Sequence, residues 1–93
     1  MADVVADNPA RGRFELVLDG GTAFIDYRRA GEVRVLTHAE VPVSLRGAGV
    51  GARLTAGTLE LLRAHGERVI VHCPYIVSFI ERHPQFADLI VHS

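Results

Sequence analysis

The sequence predicts an α/β domain built on a mixed sheet. Three observations lead there. The first half contains stretches in which apolar and polar residues alternate, the period of a half-buried strand. A glycine-rich connection at residues 44–51 runs straight into a helical repeat. The segment after that helix, Arg68 to Cys73, is apolar on both faces, as a strand covered on both sides is.

Taken in order, Met1 to Arg13 mixes Ala, Asp, Asn, Pro, Gly and Arg without a period. It reads as a loose lead-in, which places the domain at residues 14–93. Phe14, Leu16 and Leu18 mark the first strand. Asp19-Gly20-Gly21 supplies a tight hairpin turn, where positive φ is required. Thr22 to Arg28 returns as a second strand, and Gly31 marks the next turn. Val33 to Val41 is the third strand. Alternation places Val33, Val35, Thr37, Ala39 and Val41 on a core-like face, and Arg34, Leu36, His38 and Glu40 on the other. Pro42 ends the pairing.

Val50, Leu54, Thr58, Leu61 and Leu62 recur at helical spacing, with Arg53, Glu60 and Arg63 on the surface. Gly57 costs this helix roughly 1 kcal/mol relative to alanine, so it reads as a close-packing position. Gly66 follows as the C-terminal cap. Strand, helix and the strand Arg68 to Cys73 then form a right-handed βαβ crossover. Pro74 opens a second helix with Ile76, Val77, Phe79 and Ile80 as its buried stripe, ending near His83-Pro84. Gln85 to Ser93 adds either a helical turn or a final edge strand. The predicted order is β-β-β-α-β-α.

Ninety-three residues suffice for one core and little else. An apolar fraction of 48% excludes a disordered chain, and a net charge of −1 with interspersed signs excludes a nucleic-acid-binding stripe. Met1 to Arg13 has no apolar run, so neither a secretory signal nor a membrane span is expected. The single cysteine leaves no internal disulfide, which suits a cytoplasmic protein. An exposed edge strand in so small a domain makes the expected state a monomer or a weak homodimer.

Arg46-Gly47-Ala48-Gly49-Val50-Gly51 lies between strand and helix. Small residues there let backbone N–H groups converge on an anion at a helix start, and Arg46 adds a guanidinium. The pattern fits phosphate or pyrophosphate. A triphosphatase loop needs Gly-Lys-Ser/Thr, and no lysine is present in it. A dinucleotide fingerprint needs other glycine spacing and an acid about 20 residues on, where Val71 and His72 stand. The remaining pattern is Arg/Gln-x-x-Gly-x-Gly/Ala, matched by Arg46, Gly49 and Gly51.

With Thr37-His38-Ala39-Glu40-Val41, Leu45 to Gly51, Cys73-Pro74-Tyr75, and His83-Pro84 followed by Asp88-Leu89, the chain resembles the Gcn5-related N-acetyltransferases, in particular their short single-domain branch. The likeness spans Phe14 to Leu89. It implies a minimal version of that fold, with a V-shaped splay between the two central parallel strands. It implies acetyl-CoA as cosubstrate, its pantetheine paired with backbone at Val41 to Val43 and its pyrophosphate on residues 46–51. Two N-terminal helices and further C-terminal strands of larger members are missing.

Acetyl transfer needs a neutral amine, so a base is required for an amine whose pKa is near 10.4. His38 and Glu40 share a strand face, and either could take the proton. Cys73 has three readings: a nucleophile forming an acetyl-enzyme, an acid for the leaving thiolate, or a small buried hydrophobe. Tyr75 is the other candidate acid, and Ser78 faces the pantetheine end. His72, Cys73 and His83 do not have zinc spacing, so no metal is expected. His65 and His92 read as exposed. The sequence thus points to an N-acetyltransferase acting on an amine of a small molecule or a protein. The alternatives are a non-catalytic acyl-CoA-binding module and an interaction domain that has lost the ligand.

Overall fold

The computed structural model describes residues 4–91. Five strands form one sheet in sequential order: β1 (Val5–Asn8), β2 (Arg13–Leu18), β3 (Gly21–Ala30), β4 (Val33–Glu40) and β5 (Arg68–Val71). The first three pairings are antiparallel, and β4 pairs with β5 in parallel. Helix α1 (Val50–Ala64) makes the crossover, and α2 (Pro74–Arg82) follows β5. Short 3₁₀ turns at Val43–Leu45 and Pro84–Leu89 complete the chain. The expected α/β mixed sheet is therefore present, with one strand more than the sequence suggested.

That strand corrects the reading of Met1 to Arg13 as loose. Val5–Asn8 pairs with β2 from Val5↔Leu16 to Asn8↔Arg13, and Val5 is buried. Ala, Asp and Asn are poor strand formers, so local propensity hides it. Tertiary partners hold it instead. The Tyr27 hydroxyl donates to Asp7 Oδ1 at 2.7 Å, and Arg34 Nη1 lies 3.0 Å from Asp7 Oδ2. Arg34 also pairs with Glu67 and lies over the rings of Phe14 and Tyr27, 5.3 and 4.5 Å from their centroids. At 3% exposure it is buried, and it ties β1 to the turn before β5. The residues before position 4, and His92, lie outside the described part.

The single alternation expected along residues 33–41 is also corrected. Asp26 pairs with His38 but Tyr27 pairs with Leu36, so Thr37 is an extra residue in β4. Its hydroxyl donates to the Asp26 carbonyl across this bulge. A bulge shifts the side-chain period by one. Arg34 and Leu36 therefore face the helices before it, and Ala39 and Val41 after it, while Thr37 is exposed. His38 and Glu40 do share the opposite face, as expected. The bulge falls where β4 and β5 part. Their pairing ends at Leu36↔Val71, extended only by the His72 N–H donating to the Leu36 carbonyl at 2.9 Å. Beyond it, residues 38–40 pair with β3 alone.

Helix α1 buries Val50, Leu54, Thr55, Thr58, Leu59 and Leu62, while Leu61 is half-buried. Helix α2 buries Ile76, Phe79 and Ile80; Val77, expected in that stripe, is 40% exposed. The tail takes both expected forms. Phe86 and Leu89 are buried in the 3₁₀ turn, and Ile90 then bridges to Val69 in parallel. Arg63 clamps this tail by donating to both Asp88 oxygens and to the Gln85 carbonyl. No described helix is long and apolar enough to cross a membrane.

Gly57 is a close-packing position, as its cost to the helix implied. A Cβ there would stand 2.5 Å from Val5 Cγ2, where α1 crosses β1. Gly57→Ala should destabilise the fold by about 1–3 kcal/mol in urea unfolding, and Val5→Ala in the same chain should recover part of that loss. A Gly57→Ala midpoint equal to wild type would contradict the packing described.

The Glu15 carboxyl is held below its ordinary value by hydrogen bonds from Arg13, at 2.7 Å, and then Asn8. A depressed carboxyl stabilises the fold above its unfolded pKa, and that contribution disappears as pH falls through the folded value. Thermal midpoints of Glu15→Gln should therefore lie below wild type at neutral pH, and the difference should shrink only as pH falls below the ordinary glutamate value of about 4.3.

Candidate active site

Where β4 leaves β5, a cavity of about 500 Å³ opens between the strand end and the start of α1. Its strand wall is His38, Ala39, Glu40 and Val41. Its loop and helix wall is Leu45, Arg46, Gly47 and residues 49–52 with Leu54, and Tyr75 closes it from α2.

The loop is shaped by its glycines. Gly47 and Gly49 have φ of 86° and 72°, in the left-handed region that side chains avoid. Gly49 is the N-cap of α1, and the first helical bond runs from the Arg53 N–H to the Gly49 carbonyl at 3.1 Å. The preceding amides of the first turn have no intrahelical acceptor. Among the described residues no side chain caps them, and no acid stands in the first turn. A helix start left in this state attracts an anion. Arg46 adds charge at the same place. Its Nε donates to the Val41 carbonyl at 3.1 Å, which fixes the guanidinium across the cavity mouth. Its Nη groups have no partner among the described residues. The donor set therefore fits a phosphate or pyrophosphate.

Gly51 has a different role. A Cβ there would lie 2.6 Å from the Tyr75 hydroxyl oxygen, so glycine lets this phenol rest against the first turn of α1. Opposite, His38 Nε2 lies 3.4 Å from Glu40 Oε1, and both side chains are more than half exposed. The cavity thus has His38 and Glu40 among the residues of one wall, Tyr75 on another and the uncapped start of α1 between them.

The remaining predicted residues lie elsewhere. Cys73 is 7% exposed and packs in the core cluster; it is not among the residues lining the cavity. Ser78 is exposed on α2, and Val43 is 77% exposed; neither lines the cavity. Ala48 lies outside the lining, its carbonyl accepting from Arg53. Leu45 and Leu54 line the cavity and were not singled out from the sequence, because apolar residues in a loop and a helix stripe carry no local mark of a site. Phe24, opposite Glu40 in the register and with its ring 6.5 Å from that of His38, was missed as well. Its only signal was its place in the preceding strand, one turn of chain away.

Residues 13–89 match the family model described as GCN5-related N-acetyl-transferase. The chain belongs to the GCN5-related N-acetyltransferase family. A solved structure agrees at the level of fold. The solution NMR structure of a GCN5-like protein from Staphylococcus aureus superposes with a TM-score of 0.70 over 100% of this chain and 93% of that one, at 21% identity. No curated protein matches the chain.

The Gly51–Tyr75 contact is testable without a ligand. Gly51→Ala should push the phenol out of the cavity wall and lower the thermal midpoint. Tyr75→Phe combined with it should restore much of the loss, because the closest atom is the hydroxyl. If the double variant is no more stable than Gly51→Ala alone, the contact is not what makes glycine necessary.

Proposed function

We propose that this member of the family transfers an acetyl group from acetyl-CoA to an amine, with residues 46–51 holding the pyrophosphate and the splay after Leu36 admitting the pantetheine. The observation that supports this most is the uncapped start of α1 in the same cavity as Glu40 and Tyr75. We also assign the chain to the short single-domain branch of the family, on the combination of the loop at residues 45–51 with Cys73-Pro74-Tyr75 and His83-Pro84.

In this reading Glu40, oriented by His38, takes the proton that an ammonium must lose before attack and passes it to water. The amine nitrogen then adds to the thioester carbonyl carbon. The C–N bond forms and the C–S bond breaks. Tyr75 gives its hydroxyl proton to the departing sulfur and recovers the one that the new amide nitrogen sheds. Overall, an ammonium and a thioester become an amide, a thiol and one proton in solvent. Transfer is direct, without an acetyl-enzyme, since Cys73 packs in the core outside the cavity lining. The Val41 carbonyl, now bonded to Arg46, becomes available to a pantetheine amide when Arg46 turns to phosphate.

A carboxylate placed in the cradle should oppose the pyrophosphate. Gly49→Asp should weaken CoA binding by on the order of 100-fold in calorimetry, about 2.7 kcal/mol. Aspartate tolerates the φ of 72° at this position better than most residues, so the fold should survive. Unchanged affinity would remove the phosphate assignment. For the chemistry, Glu40→Gln and Tyr75→Phe should each lower kcat by about 10²-fold or more with CoA affinity retained. Cys73→Ala should leave kcat within about threefold and give no acetylated enzyme by intact mass. A stable acetyl adduct lost in Cys73→Ala would overturn direct transfer.

A further inference from the structure

Resting on this acetyl-transfer reading, we propose that Arg46 is a specificity-determining residue that restricts the donor to thioesters carrying a phosphate at the end of the pantetheine arm. It holds the backbone carbonyl that the arm needs until a phosphate draws the guanidinium away.

The turn before the glycine loop sets this up. In Val43–Leu45 the Leu45 N–H donates to the Pro42 carbonyl at 2.9 Å, and the Arg46 N–H to the Val43 carbonyl at 3.2 Å. The turn buries none of its own side chains, so the β2–β3 turn fixes it instead. The Ser44 hydroxyl donates to the Gly20 carbonyl at 3.1 Å. A Cβ at Gly20 would stand 3.4 Å from Leu45 Cδ2, and one at Gly21 would stand 3.0 Å from Pro42 Cγ. The chain is thus folded back on a fixed frame, and the Arg46 side chain meets the strand end it has just left. Its Nε donates to the Val41 carbonyl at 3.1 Å. Val41 belongs to the strand wall of the cavity and Arg46 to the loop wall, so this bond ties the two walls together.

The bond penalises one class of ligand more than another. Residues 38–40 pair with β3 on one side and have no strand on the other. A carbonyl on such an edge needs a donor, and at Val41 the donor is Arg46. A pantetheine amide can take this carbonyl only by displacing the guanidinium. That exchanges a charge-assisted bond for a weaker neutral one. A ligand with a phosphate offsets the loss, because the released guanidinium pairs with phosphate oxygens. A ligand without one leaves the guanidinium only water. Its apparent affinity then falls by the fraction of molecules in which the bond is open. Arginine suits both states. Nε holds the carbonyl, while the Nη groups, without partners among the described residues, remain available to phosphate.

The test is calorimetry on the full chain with CoA, phosphopantetheine and pantetheine. Wild type is compared with Arg46→Met, which keeps an unbranched stem and removes both donor and charge. Arg46 is exposed, so the core is not disturbed. Wild type should bind phosphopantetheine about tenfold or more tightly than pantetheine. Arg46→Met should weaken CoA by about tenfold and strengthen pantetheine by about threefold or more, two effects of opposite sign from one substitution. A residue that merely attracts phosphate would weaken CoA and leave pantetheine unchanged. That result, or weaker or undetectable pantetheine binding in the variant, would overturn the role of Arg46 and leave CoA binding standing. Equal wild-type affinity for phosphopantetheine and pantetheine would overturn it as well. Absence of CoA binding to wild type would overturn the acetyl-CoA reading itself.

Discussion

Everything at the cavity depends on one irregularity in β4. Thr37 stands where the strand has no counterpart in β3, and its hydroxyl spans the gap to the Asp26 carbonyl. Up to Leu36 the strand is bonded on both sides; after it, only β3 holds it. Unpaired backbone inside a sheet is costly, so the strands can part only where something else takes up their polar groups. The bulge turns the strand, and the opening it leaves is bordered by the start of α1.

The second requirement is that α1 begins bare. A typical helix start carries Ser, Thr, Asp or Asn at its N-cap, and that side chain satisfies one of the free amides. Here the cap is Gly49 in a left-handed conformation, with no side chain to offer. Glycine at this position costs the helix only about a few tenths of a kcal/mol relative to a capping side chain, and it leaves the amides of the first turn uncapped. Gly51 continues the pattern by yielding its Cβ position to the Tyr75 hydroxyl. Three glycines within five residues thus serve conformation, charge and space respectively.

A domain this small stabilises that opening from a distance. Arg34 is buried between Asp7 and Glu67 and against two aromatic rings, which fastens the first strand and the α1–β5 turn to the start of β4. Breaking such a buried pair by removing one partner is far more costly than an exposed one, so this cluster acts as a unit. Arg63 fixes the tail by its bidentate bond to Asp88, which lowers the carboxyl and raises the guanidinium. Neither cluster touches the cavity; both hold the elements that frame it.

Much of this was legible in the sequence because it is local. Alternation at Phe14, Leu16 and Leu18, the glycine turns, Pro74 at a helix start and the spacing of Arg46, Gly49 and Gly51 all act within a few residues. They determined the α/β order, the glycine-rich loop before α1 and the common face of His38 and Glu40. The tertiary structure decided what depends on partners far along the chain. Val5–Asn8 became a strand because Leu16, Tyr27 and Arg34 receive it, despite its weak propensity. Arg34 turned inward because a bulge three residues later breaks the period that local alternation assumes. Cys73, adjacent to Pro74 and Tyr75 in sequence, went to the core while Tyr75 went to the cavity, because successive residues at a helix start point in different directions. A sequence states which residues are available to a site; which of them face it is settled by how the strands diverge.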